Sequence, residues 1–369
     1  MATANFRYIG PFSGYQPQTT LEVVAWIMKE SEFSFNKYIQ YIPAPAKSAF
    51  YTVVEQDAPV RQYDDAMLGW ADGASRKQMG ADNKVAVQEV PFRTFRRNRS
   101  WTLGWQTIEQ TEKFGTFKIK VIHIDTTISQ MMVNRAVRIV ALIETVANYP
   151  AANVRDVNTL NGGAGKWSMG SDDPASPNYN AIFKTLLAGS QYLALQTNNK
   201  VRPRDLKVVL SPGAAIKIAA TSELTNYCRQ GQYSKDILEK GLDPQWEQWG
   251  LPSRYKTFEF CVEDTPRVSQ QAQSTATGAQ ATANRAFIKA DTSAALITRK
   301  GGITAEYGGT NLSSLQLYHF GPLMKIAAFD DPEDELVRGH ASEDTKEIMI
   351  ASGASMGATV PAMLLTNLI

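Results

Sequence analysis

The sequence predicts an α+β protein with one long helix among many strands. Two observations predict it. Ile128, Met132, Ile139, Ile143 and Val146 recur at three-, four- or seven-residue steps, the period of an amphipathic helix. Runs rich in β-branched and aromatic residues lie on both sides of that helix, at 84–108 and repeatedly after 286.

Taken in order, residues 1–50 are aromatic and spotted with proline. Leu21 to Phe33 is apolar-periodic and predicts a short helix, and Tyr41-Ile42-Pro43-Ala44-Pro45 predicts an extended arm. An arm carrying Phe6, Tyr8, Phe12 and Tyr15 needs a surface to lie on. Two extended limbs follow, Phe50–Val60 and Lys84–Ile108, around a glycine-bearing tip at about 69–83. Limbs of about twenty residues would reach roughly 60 Å, and an isolated ribbon of two strands is marginal in water. A neighbouring molecule would supply the missing support.

Phe117–Asp125 predicts a strand, and Asp125-Thr126-Thr127 supplies helix-capping side chains for a helix ending near Tyr149-Pro150. Arg135, Arg138 and Glu144 fall between its apolar positions. Residues 151–180 form a connection rich in glycine, asparagine and aspartate. Beyond it the pattern predicts a helix from Asn180 to Thr197, a buried strand at Leu206–Leu210 and a helix opened by Ser211-Pro212. Short helical pieces surround Ile237 and Trp246, and a strand covers Tyr255–Val262. The polar, low-complexity stretch 268–284 predicts a mobile surface loop. Strands near 286–290, 295–299, 315–320 and 323–329, an acidic turn at Asp330–Glu335 and a strand-like end at 346–369 complete the chain.

Composition narrows the function classes. A chain of 369 residues with 43% hydrophobic and 20% charged content can bury a sizeable core. Lysine and arginine total 38 against 36 acids, a net charge of +2, which is weak for a protein devoted to gripping phosphate backbones. Two cysteines, Cys228 and Cys261, cannot make a disulfide framework and are expected to be buried small hydrophobes. No secretory signal or membrane-spanning stretch is evident, so a protein made in a cytoplasm is expected.

Fragments that imitate catalytic motifs fail on stated requirements. Gly353-Ala-Ser355-Met-Gly357 fits a nucleophile elbow, but His123, His319 and His340 all precede the serine. Gly162-Gly-Ala-Gly165-Lys166 resembles part of a phosphate loop, yet Leu160 and Trp167 stand where glycine and a hydroxyl residue are needed. The cysteines and histidines lack zinc spacing. The acidic turn 330–335 lacks the alternation of a calcium loop and is expected to be solvated or to meet a neighbour's arginines. No catalytic, cofactor or metal site is therefore expected, and the chain is not expected to be an enzyme. The most specific charge feature is Phe92-Arg93-Thr-Phe95-Arg96-Arg97-Asn-Arg99-Ser-Trp101. Arginine interleaved with aromatics suits single-stranded nucleic acid and also protein interfaces. Arg93, Arg96, Arg97, Arg99 and Trp101, with Phe6, Tyr8 and Phe12 of the arm, are expected to contact another subunit.

In its order of features (arm, two-stranded extension, strand, long helix, glycine-rich link, Trp167-Ser168, Asp172-Asp173-Pro174, Val201-Arg-Pro203, Lys207–Leu210, Ser211-Pro212, Ala295–Arg299 and Tyr318–Gly321) the whole chain resembles the tailed-bacteriophage major capsid proteins of the Hong Kong 97 type. The resemblance implies an N-terminal arm at 1–50, an E-loop at 51–107 and a peripheral domain with a spine helix at 108–150. It further implies an axial domain at 151–284, return strands of the peripheral domain at 285–335 and C-terminal strands of the axial domain at 336–369. Pentamers and hexamers closing into an icosahedral head around double-stranded DNA, held without sequence specificity, are what the resemblance implies for function. Implied partners are copies of the chain, a portal protein, and scaffold or decoration proteins; implied locations are the host cytoplasm during assembly and then the virion. No scaffolding segment precedes the arm, so a separate scaffold, or none, is expected. An encapsulin-like shell around enzyme cargo is the second reading.

Overall fold

Leu206–Leu210, Ser293–Thr298 and Ala362–Thr366 read LKVVL, SAALIT and AMLLT, and nearly every side chain in them is buried. Such short apolar runs suit strands covered on both faces. A computed structural model of the chain sets them side by side. It describes residues 33–54, 87–114, 119–160, 165–197, 199, 201–229, 243–268, 285–299, 313–331, 335–350 and 362–369.

In chain order the strands are β1 (Gln40–Pro43), β2 (Ser48–Val54), β3 (Val87–Arg93), β4 (Phe95–Gly104), β5 (Val154–Asp156), β6 (Leu206–Leu210), β7 (Arg254–Tyr255) and β8 (Phe258–Val262). They continue with β9 (Pro266–Val268), β10 (Arg285–Phe287), β11 (Ser293–Thr298), β12 (Leu315–His319), β13 (Lys325–Asp331), β14 (Leu336–Met349) and β15 (Ala362–Thr366). The α-helices are α1 (Trp105–Phe114), α2 (Ile119–Glu144), α3 (Val157–Leu160), α4 (Ala181–Gln196), α5 (Pro212–Ala219), α6 (Ser222–Arg229) and α7 (Pro244–Trp249).

One sheet runs β5-β15-β11-β6-β8-β7. A second is built on β14, whose residues 336–342 pair with both β4 and β13, while Thr345 pairs with both Phe95 and His319. β4 therefore lies on one side of β14, β13 and β12 follow each other on the opposite side, and β1 adds in parallel to β12. Helix α2 fills the junction of the two sheets. Its Ile128, Met132, Ile139 and Ile143 are at most 1% exposed and pack with Ala295, Ile297 and Leu364 of one sheet and Leu315, Leu317 and Ala341 of the other. Burial of each such side chain contributes about 1.5–3 kcal/mol. The opposite face of the six-stranded sheet, through Val208, Leu210, Leu296 and Leu365, meets α4 and α5.

Local chemistry explains the helix starts. The Ser211 hydroxyl accepts the N–H of Ala214 and Pro212 occupies the first turn of α5, as expected. Helix α4 has no cap of its own. Glu223 of α6 accepts the N–H groups of Ile182 and Phe183 at 3.1 and 2.9 Å, and the Tyr255 hydroxyl at 2.8 Å.

Several expectations need correction. Residues 119–125 are helical, not a strand: α2 already begins at Ile119. Alternating β-branched residues gave a period of two, but Ile124 and Ile128 are four apart on the buried stripe, and packing overrides local propensity. Thr126 and Thr127 do not cap the helix; their hydroxyls donate to the carbonyls of Ile122 and His123 within it. The helix stops at Glu144, with one 3₁₀ turn before Tyr149. The second limb is not one extended piece. β3 pairs with β2, β4 leaves that ribbon to join β14, and Trp105–Phe114 is helical. β11 and β15 lie in the six-stranded sheet, and β12, β13 and β14 in the other. Helix 21–33, the Ile237 piece, the tip at 69–83 and the loop 269–284 lie outside the described residues.

The end of the expected arm is part of the body. Phe35, Tyr38 and Ile39 are fully buried around a single 3₁₀ turn, Ser34–Lys37. The Tyr38 and Thr265 hydroxyls donate to the two oxygens of Glu263, at the exit of β8. Burial raises the Glu263 carboxyl above its ordinary range, and these hydroxyls and Ser34 offset only part of that. A raised folded-state pKa adds stability below the ordinary carboxylate pKa and loses it as pH rises through the raised value. Glu263→Gln should therefore lose part of the fall in unfolding free energy between acidic and alkaline pH, read from denaturant titrations at several pH values.

Candidate functional site

The site is built on β4, FRRNRSWTLG, and the two elements behind it. Alternation sends Arg97, Trp101 and Leu103 to the helix side of the sheet. On β14 the same alternation sends Val337, Gly339, Ala341, Glu343, Thr345 and Glu347 inward, and all are buried. Two carboxylates therefore face α2 from one buried strand face.

Arg135 and Arg138, three residues apart on α2, meet them. Arg135 is 0% exposed; its Nε and Nη2 donate to Glu343 Oε2 at 3.0 and 2.6 Å, and Nη2 also reaches the Leu323 carbonyl. Arg138 Nη2 donates to Glu343 Oε1 at 2.6 Å and Glu347 Oε1 at 2.8 Å. Arg97 closes the group from β4. Its Nη1 donates to the Thr345 carbonyl and hydroxyl at 3.2 Å, and its Nη2 lies 3.8 Å from Glu347 Oε2. Burial pushes the Glu347 carboxyl up, but the hydrogen bonds and charge of Arg138 and the charge of Arg97 outweigh it and leave its pKa below the ordinary value. Burial and the neighbouring Arg138 lower Arg97. Three arginines against two glutamates leave one surplus positive charge.

The other expected site residues fall out as follows. Trp101 lies across Gly339, where an added Cβ would come within 2.2 Å of the indole ring, and its ring centroid is 5.9 Å from that of His123. Arg93, Arg96 and Arg99 are exposed, and none has an ion pair among the described residues. Phe95 is 51% exposed beside Lys346. Phe6, Tyr8 and Phe12 lie outside the described residues.

At the root of the β2–β3 ribbon, Phe92 packs against Tyr318 with ring centroids 4.3 Å apart and the rings tilted by 43°, within a cluster completed by Ala44 and Ile348. The ribbon's other face carries Phe50, 63% exposed, opposite Pro91. β2 and β3 pair only with each other among the described residues.

The chemical imitations find structural uses. Lys166 donates to the Ile369 carbonyl at 3.0 Å, and the Gly353–Gly357 stretch lies outside the described residues. Cys261 is buried as expected, whereas Cys228 is only half-buried; burial pushes the thiols up to about 11 for Cys228 and about 12 for Cys261, the state of unreactive cysteine. Among the described residues no helix is long and apolar enough to cross a membrane, and no group of three or more potential ligands could hold a metal ion.

A solved phage-related protein from Bordetella bronchiseptica RB50 matches this architecture with a TM-score of 0.57 at 10% identity, over 97% of this chain and 99% of that one. The chain has the fold of a phage-related protein. It is also similar to the capsid of cyanophage P-SCSP1u (TM-score 0.47, 9% identity, 99% of this chain and 92% of that one). A further likeness is to a virus-like particle from Pyrococcus furiosus (0.45, 8% identity, 94% and 97%). No protein-family model and no curated protein sequence matches the chain.

Sequence reasoning placed Arg135 and Arg138 between apolar positions and missed their partners. The signal was present in part: Arg135 lies three residues from Met132 and four from Ile139, on the buried stripe itself. Removing one member of a buried pair costs about 3–5 kcal/mol because the other charge is stranded. Arg135→Met should lower the unfolding free energy by that order, and Arg135→Met with Glu343→Leu should recover part of the loss, both measured by equilibrium denaturation.

Proposed function

We propose that this chain is a major capsid protein of a tailed phage, a shell subunit that assembles into pentamers and hexamers around double-stranded DNA. The observation that carries the proposal is the β2–β3 ribbon. It is rooted to the body through one face by Phe92 and presents Phe50 and Pro91 on the other. A two-stranded ribbon whose outer face exposes Phe50 and Pro91 beside Ser48, Glu89 and Arg93 suits burial against a partner of mixed apolar and charged surface, and a sister subunit is the partner always present during assembly. The fold shared with a phage-related protein supports the reading.

Each subunit would meet several neighbours, so modest contacts add through multivalency and closure. Arg93, Arg96 and Arg99, without an ion pair among the described residues, would join Phe50 and the arm residues Phe6, Tyr8 and Phe12 in those contacts. Arg97 would serve chiefly to hold β4 in place, since its guanidinium already bonds Thr345 and neighbours Glu347. A net charge of +2 suits a wall that encloses DNA without gripping it.

Negative-stain electron microscopy of the purified chain, alone and with scaffold candidates, should show closed shells, and particles from infected cells should contain DNA. A chain that stays monomeric at high concentration would sink the reading, and particles filled with enzyme cargo would turn it toward a nanocompartment. Neutralising Arg93, Arg96, Arg97 and Arg99 together should lower shell yield and heat resistance.

A further inference from the structure

The outer face of the β2–β3 ribbon carries charge in a definite order. Along β3, alternation puts Glu89, Pro91 and Arg93 on that face, and all three are exposed. Across the ladder Phe50 pairs with Pro91 and Ser48 with Arg93, so the two apolar residues sit side by side. Acid, apolar centre and base therefore follow one another along one strand. Glu89 and Arg93 each lie two residues from Pro91, roughly 6.6 Å to either side of it. At that separation they do not reach each other, and neither has an ion pair among the described residues. The inner face is already taken, through Phe92, by Tyr318 and Ile348.

Such an order complements itself in one orientation. When a second ribbon faces the first and runs antiparallel to it, Glu89 of each copy faces Arg93 of the other. Phe50 and Pro91 then lie on their own counterparts at the twofold axis. Turned parallel, the same faces set Glu89 on Glu89 and Arg93 on Arg93, and like charges directly opposed are destabilising. Sheets packed face to face sit about 10 Å apart, with their strands within about 30° of one another. A rotation of that size about Pro91 displaces positions 6.6 Å away by only about 3 Å. An arginine on its long flexible stem absorbs that shift.

We propose that the outer faces of two β2–β3 ribbons, from two copies of the chain, pack on each other antiparallel about a twofold axis at Pro91 and Phe50. Two reciprocal Glu89–Arg93 ion pairs flank the apolar centre. The contact is isologous, the same patch serving on both copies, and contacts of that kind join pairs of subunits where head-to-tail contacts build rings. Charges at such a rim fix orientation and partner more than strength, so the contact is modest alone and adds to others in a shell. It rests on the reading that a sister subunit covers this ribbon, and it names the sister's surface as the same ribbon.

Mixing two charge reversals tests the pairing. Glu89→Arg leaves a face with two bases and Arg93→Glu a face with two acids. Each variant alone repels its own kind and should cut particle yield about tenfold or more. Mixed one to one the two are complementary and should recover most of the yield, as should a chain carrying both changes. Thermal melts of the unassembled chains identify a reversal that fails to fold. For that case the exposed Phe50 is replaced, Phe50→Cys, and a bismaleimide spanning about 10 Å should join the new thiols of two copies, mapped by mass spectrometry apart from Cys228. Folded reversals that stay unassembled when mixed overturn the pairing, as do reversals that assemble alone at unaltered yield. Particles with no link between the two positions 50 overturn it too. In each of those results, shells formed by the unaltered chain leave the shell reading standing. Dimers linked at position 50, from a chain that never forms shells, keep the pairing and remove the shell reading.

Discussion

The guanidinium of Arg135 sits with no exposure between α2 and β14, and the rest of the architecture is arranged around keeping it satisfied. A buried charge is tolerable only with an opposite charge and full hydrogen bonding. Glu343 supplies the charge and the Leu323 carbonyl takes a further N–H. Arg138 then shares Glu343 and brings in Glu347, whose other oxygen lies near Arg97. Helix, central strand and β4 are thereby tied in one chain of charges. An apolar contact can slide by a fraction of a turn; a bidentate pair between arginine and carboxylate sets orientation as well as distance.

The same junction explains why two sheets and one helix suffice for a long chain. Buried residues of α2 pack with apolar residues of both sheets, so neither sheet has its inner face complete without the helix. The six-stranded sheet is covered a second time by α4 and α5. The β2–β3 ribbon lacks this treatment, covered on one face at its root by Tyr318 and Ile348 and open at Phe50. The chain passes from ribbon to sheet at Thr94.

Local patterns were legible wherever local forces decide. LKVVL, the serine-proline helix start and the helix at 181–196 could be read directly because continuous apolar runs, capping chemistry and helical period act over a few residues. The strand expected at 117–125 was misread because β-branched residues alternate there, while the three-dimensional core demands a helix that reaches Ile124. β4 read correctly as extended but not as leaving the ribbon, since its partner β14 lies more than two hundred residues away in sequence. The Arg135–Glu343 pair, whose members are 208 positions apart in sequence, was equally out of reach. Of the site, the arginine run was visible; which arginine is consumed internally and which remain available was not.

The ladder between β4 and β14 runs unbroken from Phe95–Thr345 to Gly104–Leu336. In a shell of the kind proposed, it would have a mechanical meaning. A tug transmitted down the ribbon enters β4 along its length, so the hydrogen bonds of the ladder are strained in shear and yield together. Peeling from an end would break them one after another. Linked near its ribbon end through Arg97 and Glu347 to Arg138 of the helix, this strand would behave as a tendon, spreading a local load over the body behind it.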